Sequence, residues 1–130
     1  METLQFRVNI EGYPTPRARL AKNGQAYNTA KYRNYKKKLA AEFIKMGVPK
    51  GDYEYVRINF YFPYPANTAQ KNIVDKAPMR YKYDVDNLIK GFFDALQDAD
   101  IIEDDRTIAA VYSEKLFTVE NFGFIEFEFE

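Results

Sequence analysis

The 130-residue chain contains no cysteine, no histidine and no tryptophan. Without cysteine there is no disulfide, no zinc-thiolate centre and no thiol nucleophile. Without histidine, the Ser-His-Asp arrangement and every imidazole-ligated metal site are excluded, and acid–base work is left to Asp, Glu, Lys and Tyr. Long hydrophobic runs are also missing: no 18-residue apolar stretch occurs, and the first residues hold no apolar run of signal-peptide length. A soluble, cytoplasmic protein with no membrane partner is the expectation.

Bulk comes from 11 Phe and 11 Tyr, and 46% hydrophobic content in a chain of this length suits one domain, residues 1–130, with an ordinary core. Net charge is zero, but it is unevenly distributed. Residues 1–50 hold 11 Lys/Arg against 3 Asp/Glu, and residues 51–130 hold 8 against 16. A basic surface for a polyanion and a separate acidic cluster for a cation would account for the division. Two halves that pack and neutralise one another would account for it equally well.

Alternation over Leu4 to Ile10 predicts a strand with one buried face, stopped by Gly12, Pro14 and Pro16. The basic stretch 17–25, with Asn23-Gly24, reads as an exposed loop or irregular hairpin. Tyr32, Tyr35, Leu39, Phe43 and Met46 recur at spacings of three and four, which predicts a helix over 29–46 with lysines on its other faces. Tyr55 to Phe62 reads as a strand, and 64–83 as a long basic loop. Leu88, Phe92 and Leu96 predict a second helix over 87–99, which Asp86 would cap. Residues 107–118 and 122–130 look like the two strands of a hairpin turning near Asn121 and Gly123. The predicted fold is α+β, a mixed sheet with two main helices in the order β-α-β-α-β-β.

The chemistry concentrates in residues 84–105. Asp84 and Asp86 are two apart, and in extended backbone both would face one side, immediately before a helix. Lys90 follows Asp86 by one helical turn, and Asp94 follows Lys90 by another. Asp104 and Asp105 come later, close enough in chain length for one of them to return to the pair. Gathered carboxylates repel by roughly 4 kcal/mol per pair at ~4 Å and an effective dielectric of ~20, unless a proton or cation sits among them. Each piece has an ordinary reading: a helix cap, a surface ion pair, a polar turn. Their combination favours an oxygen-only site that suits Mg²⁺ or Mn²⁺ better than zinc, with Ca²⁺ also chemically allowed.

The string Asp84-x-Asp86-Asn87-Leu88-x-Lys90, then Asp94-Ala95-Leu96 and Asp104-Asp105, closely resembles the RusA family of Holliday junction resolvases. Gly12-x-Pro14-x-Pro16-Arg17-x-Arg19 and Lys115 add weaker similarity. The resemblance implies a small homodimeric, Mg²⁺-dependent endonuclease, often encoded by phage or prophage, that nicks four-way junction DNA symmetrically in recombination and repair. It implies that Asp84, Asp86 and Asp105 bind metal and that Lys90 is the essential basic residue. Tyr83 stands where many members carry proline or a basic residue. Phosphate tracking would then fall to Arg17, Arg19, Lys22, Lys36, Lys37, Lys71 and Lys76. A nuclease for flaps or forks, or a non-catalytic branched-DNA-binding protein, are the alternatives.

Overall fold

A computed structural model describes residues 3–16 and 29–130 in full, and the backbone of 19–20 and 26–27. Among the described residues six strands and two α-helices follow one another: β1 (Leu4–Val8), β2 (Arg19–Leu20), β3 (Ala26–Tyr27), α1 (Ala30–Lys45), β4 (Tyr55–Pro63), α2 (Val85–Asp98), β5 (Ala110–Thr118) and β6 (Phe124–Phe129). The small β2–β3 ladder starts in the basic stretch 17–25 and closes just beyond it. Apart from it, the predicted β-α-β-α-β-β order is the order found.

The main sheet runs β1-β6-β4-β5 and is mixed, with β5 parallel to β4 and the other pairs antiparallel. The predicted β5–β6 hairpin is therefore incorrect, because β4 lies between them. The physical reason is the crossover through α2, which returns the chain parallel to β4 and places β5 on one of its edges. Residues 119–123 then have to pass the end of β4 to reach its other edge. That gap is ~9.6 Å for strands two places apart, well within reach of such a segment.

Period-two alternation sets the two faces of the sheet. Val56, Ile58, Phe60 and Phe62 of β4, with Ile125, Phe127 and Phe129 of β6, join the core shared with both helices. Tyr61, Leu116 and Phe124 form a smaller cluster on the other side. The helix α1 begins at Thr29, whose hydroxyl accepts from the Tyr32 backbone N–H, and buries Tyr32, Tyr35, Leu39 and Phe43. The helix α2 buries Leu88, Phe92, Phe93 and Leu96. Phe92 is the hub, with ring centroids 5.2 Å from Phe43 and 5.1 Å from Phe127.

Gly91 lets the N-terminal segment lie against α2. A Cβ there would sit 2.9 Å from the Tyr13 carbonyl oxygen, beside a backbone bond from Thr15 N–H to the Asn87 carbonyl at 3.0 Å. A glycine-to-alanine change inside a helix ordinarily stabilises by ~0.8–1.0 kcal/mol. Here the clash is with backbone that a hydrogen bond holds. Gly91→Ala is expected to lower stability by about 1 kcal/mol instead, read as a lower urea midpoint at unchanged m-value.

Candidate active site

The site forms around α2. Its N-cap residue is Asp84, in extended conformation, whose carbonyl accepts from the Asn87 and Leu88 N–H groups while its carboxylate makes no capping bond. Asp86 therefore lies inside the first helical turn and is not the cap, which corrects the sequence expectation. Because Val85 is already helical, the two carboxylates are not related by strand alternation either. Both are solvent-exposed at the positive end of the helix dipole, where negative charge is stabilised.

One turn further, the Lys90 ammonium lies 3.2 Å from Asp94 Oδ1 and 3.2 Å from Asp105 Oδ2. The chain leaving α2 thus returns to the middle of the same helix. Partial desolvation opposes the lysine charge, but hydrogen bonds to Asp105 and Asp94, with their charges, outweigh it and raise the Lys90 pKa above its ordinary 10.5. Asp104 is committed elsewhere. Its Oδ1 accepts from the Arg106 N–H at 2.9 Å and its Oδ2 from Arg106 Nε at 3.0 Å, capping a 3-10 turn at Asp105–Thr107. The backbone N–H of Arg106 holds the Asp104 carboxyl below its usual range. The neighbouring acids are thereby divided, one closing a turn and one facing Lys90.

Among the described residues, no three acidic side chains converge closely enough to hold a metal ion. The donor chemistry nevertheless fits a hard divalent cation, since Asp84, Asp86 and Asp105 offer only carboxylate oxygen and none is buried.

Entry to the site is held by Lys115. Immediately before Asp84, Lys82 and Tyr83 take left-handed conformations with φ of 58° and 69°. Such backbone costs roughly 1–2 kcal/mol per non-glycine residue. The Lys115 ammonium, reaching from β5, donates to the Tyr83 carbonyl at 2.6 Å and lies 3.5 Å from that of Lys82. Lys115 is singled out in the sequence only through the family resemblance, and its position in a strand says nothing of what its ammonium holds. Lys115→Met is expected to destabilise by ~1–2 kcal/mol and to slow any cleavage about tenfold by loosening Asp84. Urea unfolding and a cleavage time course check it, and unchanged values of both would remove Lys115 from the site.

The basic candidates are scattered by comparison. Lys37 is exposed on α1, while Lys36 reaches Asp98 of α2 at 3.7 Å. Lys71 and Lys76 are exposed in the 64–83 loop. That loop lies along the outer edge of β5, through Met79 N–H to the Lys115 carbonyl at 2.9 Å and Phe117 N–H to the Ala77 carbonyl at 2.8 Å. Arg17 and Lys22 lie outside the described residues, and of Arg19 only the backbone is described.

Carboxylates and an ammonium lie together on one helix, and a lysine-bearing helix and a basic loop belong to the same domain. The family model of the endodeoxyribonuclease RusA matches residues 9–126. The chain belongs to the RusA endodeoxyribonuclease family, whose members are hydrolases that act on branched junction DNA. No curated protein matches it. No helix among the described residues is long and apolar enough to cross a membrane.

Proposed function

We propose that this protein is a Mg²⁺-dependent endonuclease that resolves four-way DNA junctions by symmetric phosphodiester hydrolysis, in recombination and repair in the cytoplasm. The observation that carries the reading is the placement of Asp105 on Lys90, one turn beyond Asp84 and Asp86, in a chain of this family. Asp84, Asp86 and Asp105, which do not converge on one point here, would have to be drawn together to hold the cation, and the commitment of Asp104 to Arg106 favours Asp105 as the third ligand. Bound there, Mg²⁺ would supply Lewis acidity toward water and phosphate oxygen, with Mn²⁺ as a chemical substitute.

Lys90 has a cation's role. Against partial desolvation, hydrogen bonds to Asp105 and Asp94 hold its pKa above the ordinary 10.5, which suits a group that neutralises phosphate charge and does not abstract a proton. The sign follows: the charge, and whatever stability it brings, is present below that value and is lost only as pH rises through the elevated folded-state pKa. Lys90 should contribute no inflection to a pH–rate profile near neutrality. Lys37, Lys71 and Lys76, with Arg17, Arg19 and Lys22 before them in the chain, are proposed to contact phosphates, and Lys36 to do so once released from Asp98. Symmetric cutting of a two-fold junction requires two such sites, hence a C2 homodimer.

A labelled four-way junction, a flap, a fork and a linear duplex of the same sequence, each incubated with Mg²⁺ or with EDTA, test the reading. Paired nicks in the junction alone, abolished by EDTA, are expected. Equal cutting of flaps would reassign the substrate, and junction binding without metal-dependent nicks would leave only a DNA-binding protein.

A further inference from the structure

Tyr32 belongs by spacing to the apolar stripe of α1, and only 1% of it is exposed. Its hydroxyl nonetheless lies 2.6 Å from Asp94 Oδ2, on the other helix. A carboxylate can only accept, so the phenol donates, and Thr15 Oγ1, 3.1 Å from the same hydroxyl, must donate to it in turn. Burial, followed by the hydrogen bond to Asp94, pushes the Tyr32 pKa far above the usual tyrosine value, so the donor stays protonated. The two oxygens of Asp94 are thereby divided: Oδ2 takes the phenol, and Oδ1 takes Lys90 at 3.2 Å. With both oxygens assigned, the carboxylate plane is fixed.

We infer that Tyr32 is a positioning residue for Lys90, acting through Asp94, and that Thr15 ends the same hydrogen-bonded chain and ties the N-terminal segment to the site. The need for such a device is visible in Lys90 itself. Its side chain is 51% exposed on a flexible four-carbon stem, and an ammonium is a point charge without built-in direction. A buried tyrosine hydroxyl needs a partner, but Thr15 alone would have supplied one. The phenol instead spends its single proton on the carboxylate that holds the lysine. Thr15 is also fixed to α2 by its own N–H, bonded to the Asn87 carbonyl, so the chain is anchored at both ends.

The inference rests on the nuclease reading for what Lys90 does, and not for how it is held. Tyr32→Phe, Asp94→Ala and the double variant are compared in single-turnover junction cleavage with Mg²⁺ and in junction binding without it. Tyr32→Phe is expected to slow cleavage about tenfold while leaving the junction Kd within about twofold. In the Asp94→Ala background the same change should add less than about twofold, because the route to Lys90 is already cut. A full effect of Tyr32→Phe in that background, or one confined to Kd, would overturn the inference.

A second readout needs neither DNA nor metal. The ¹H–¹⁵N signal of the Lys90 ammonium, slowed in its exchange with water by its two carboxylates, should broaden in Tyr32→Phe, and an unchanged signal also rejects the chain. Should Tyr32→Phe not fold, Thr15→Val carries the same two measurements, with about threefold slower cleavage expected. Absence of cleavage by the unaltered protein would reject the nuclease reading and leave the lysine signal to decide the inference.

Discussion

Asp86→Asn should cleave junction DNA more slowly by on the order of 10²–10³-fold than the unaltered protein, while binding the same junction at least as tightly. The substitution keeps shape and removes one negative charge. Asp86 is exposed in the first turn of α2 and its carboxylate has no hydrogen-bond partner among the described residues, so little of the fold depends on that side chain. The structural loss is its favourable place on the helix dipole, ~0.3–1 kcal/mol. Binding to a polyanion should gain, because a like charge has left the surface that meets phosphate. A large kinetic effect on an intact, DNA-binding protein is the signature of a ligand or reacting group. Residual cleavage within about threefold of the unaltered rate would show that Asp86 is only a favourable charge at a helix end.

The second large effect is on stability. Phe92→Ala should destabilise by ~3–5 kcal/mol, because it removes a fully buried ring and leaves a cavity that the surrounding aromatics close only in part. Phe43, Phe60 and Phe127 all present rings to it, from α1, β4 and β6, so both helices and the sheet lose contact at one point. Against a total of about 5–15 kcal/mol for a domain of ordinary stability, that is a severe fraction. Urea unfolding measures it directly. A loss under ~1.5 kcal/mol would mean that neighbouring rings repack into the space.

Much of this core could be read from spacing alone. The stripe from Tyr32 to Met46, the one through Leu88, Phe92 and Leu96 and the alternation through Ile125, Phe127 and Phe129 each reflect burial on one side of a regular element, and each is buried as expected except Met46, which is half-buried. Pairing partners were not legible. The alternation in β6 is the same whether its neighbour is β5 or β4, so the hairpin was misplaced although the strands were found.

The site shows a similar limit. Lys90 and Asp94, one turn apart, do pair, and a third carboxylate does return to them. Which of the tandem acids returns depends on a cap within a single 3-10 turn, and chain length cannot distinguish them. Tyr32 stayed hidden because a tyrosine on an apolar stripe looks like any other core aromatic until its hydroxyl is placed. Part of the uneven charge is neutralised between the two halves. Lys36 and Lys50 from the basic half reach Asp98 and Asp100 in the acidic half, while Lys37 remains exposed to solvent.

The strand order also bears on how the chain is made. Within the main sheet β6 is an interior strand, hydrogen-bonded to β1 on one side and β4 on the other, yet it is the last strand to be synthesised. While a ribosome adds residues at ~5–20 per second, β1 and β4 wait on the order of seconds with open edges before the strand that joins them emerges. Val56, Ile58 and Phe60 stay uncovered by β6 for that interval, in a β-rich segment suited to pairing with another nascent chain. Soluble yield should therefore improve with weaker induction, which lowers the concentration of nascent chains that share those open edges, and a product interrupted before Phe124 should be found in the insoluble fraction.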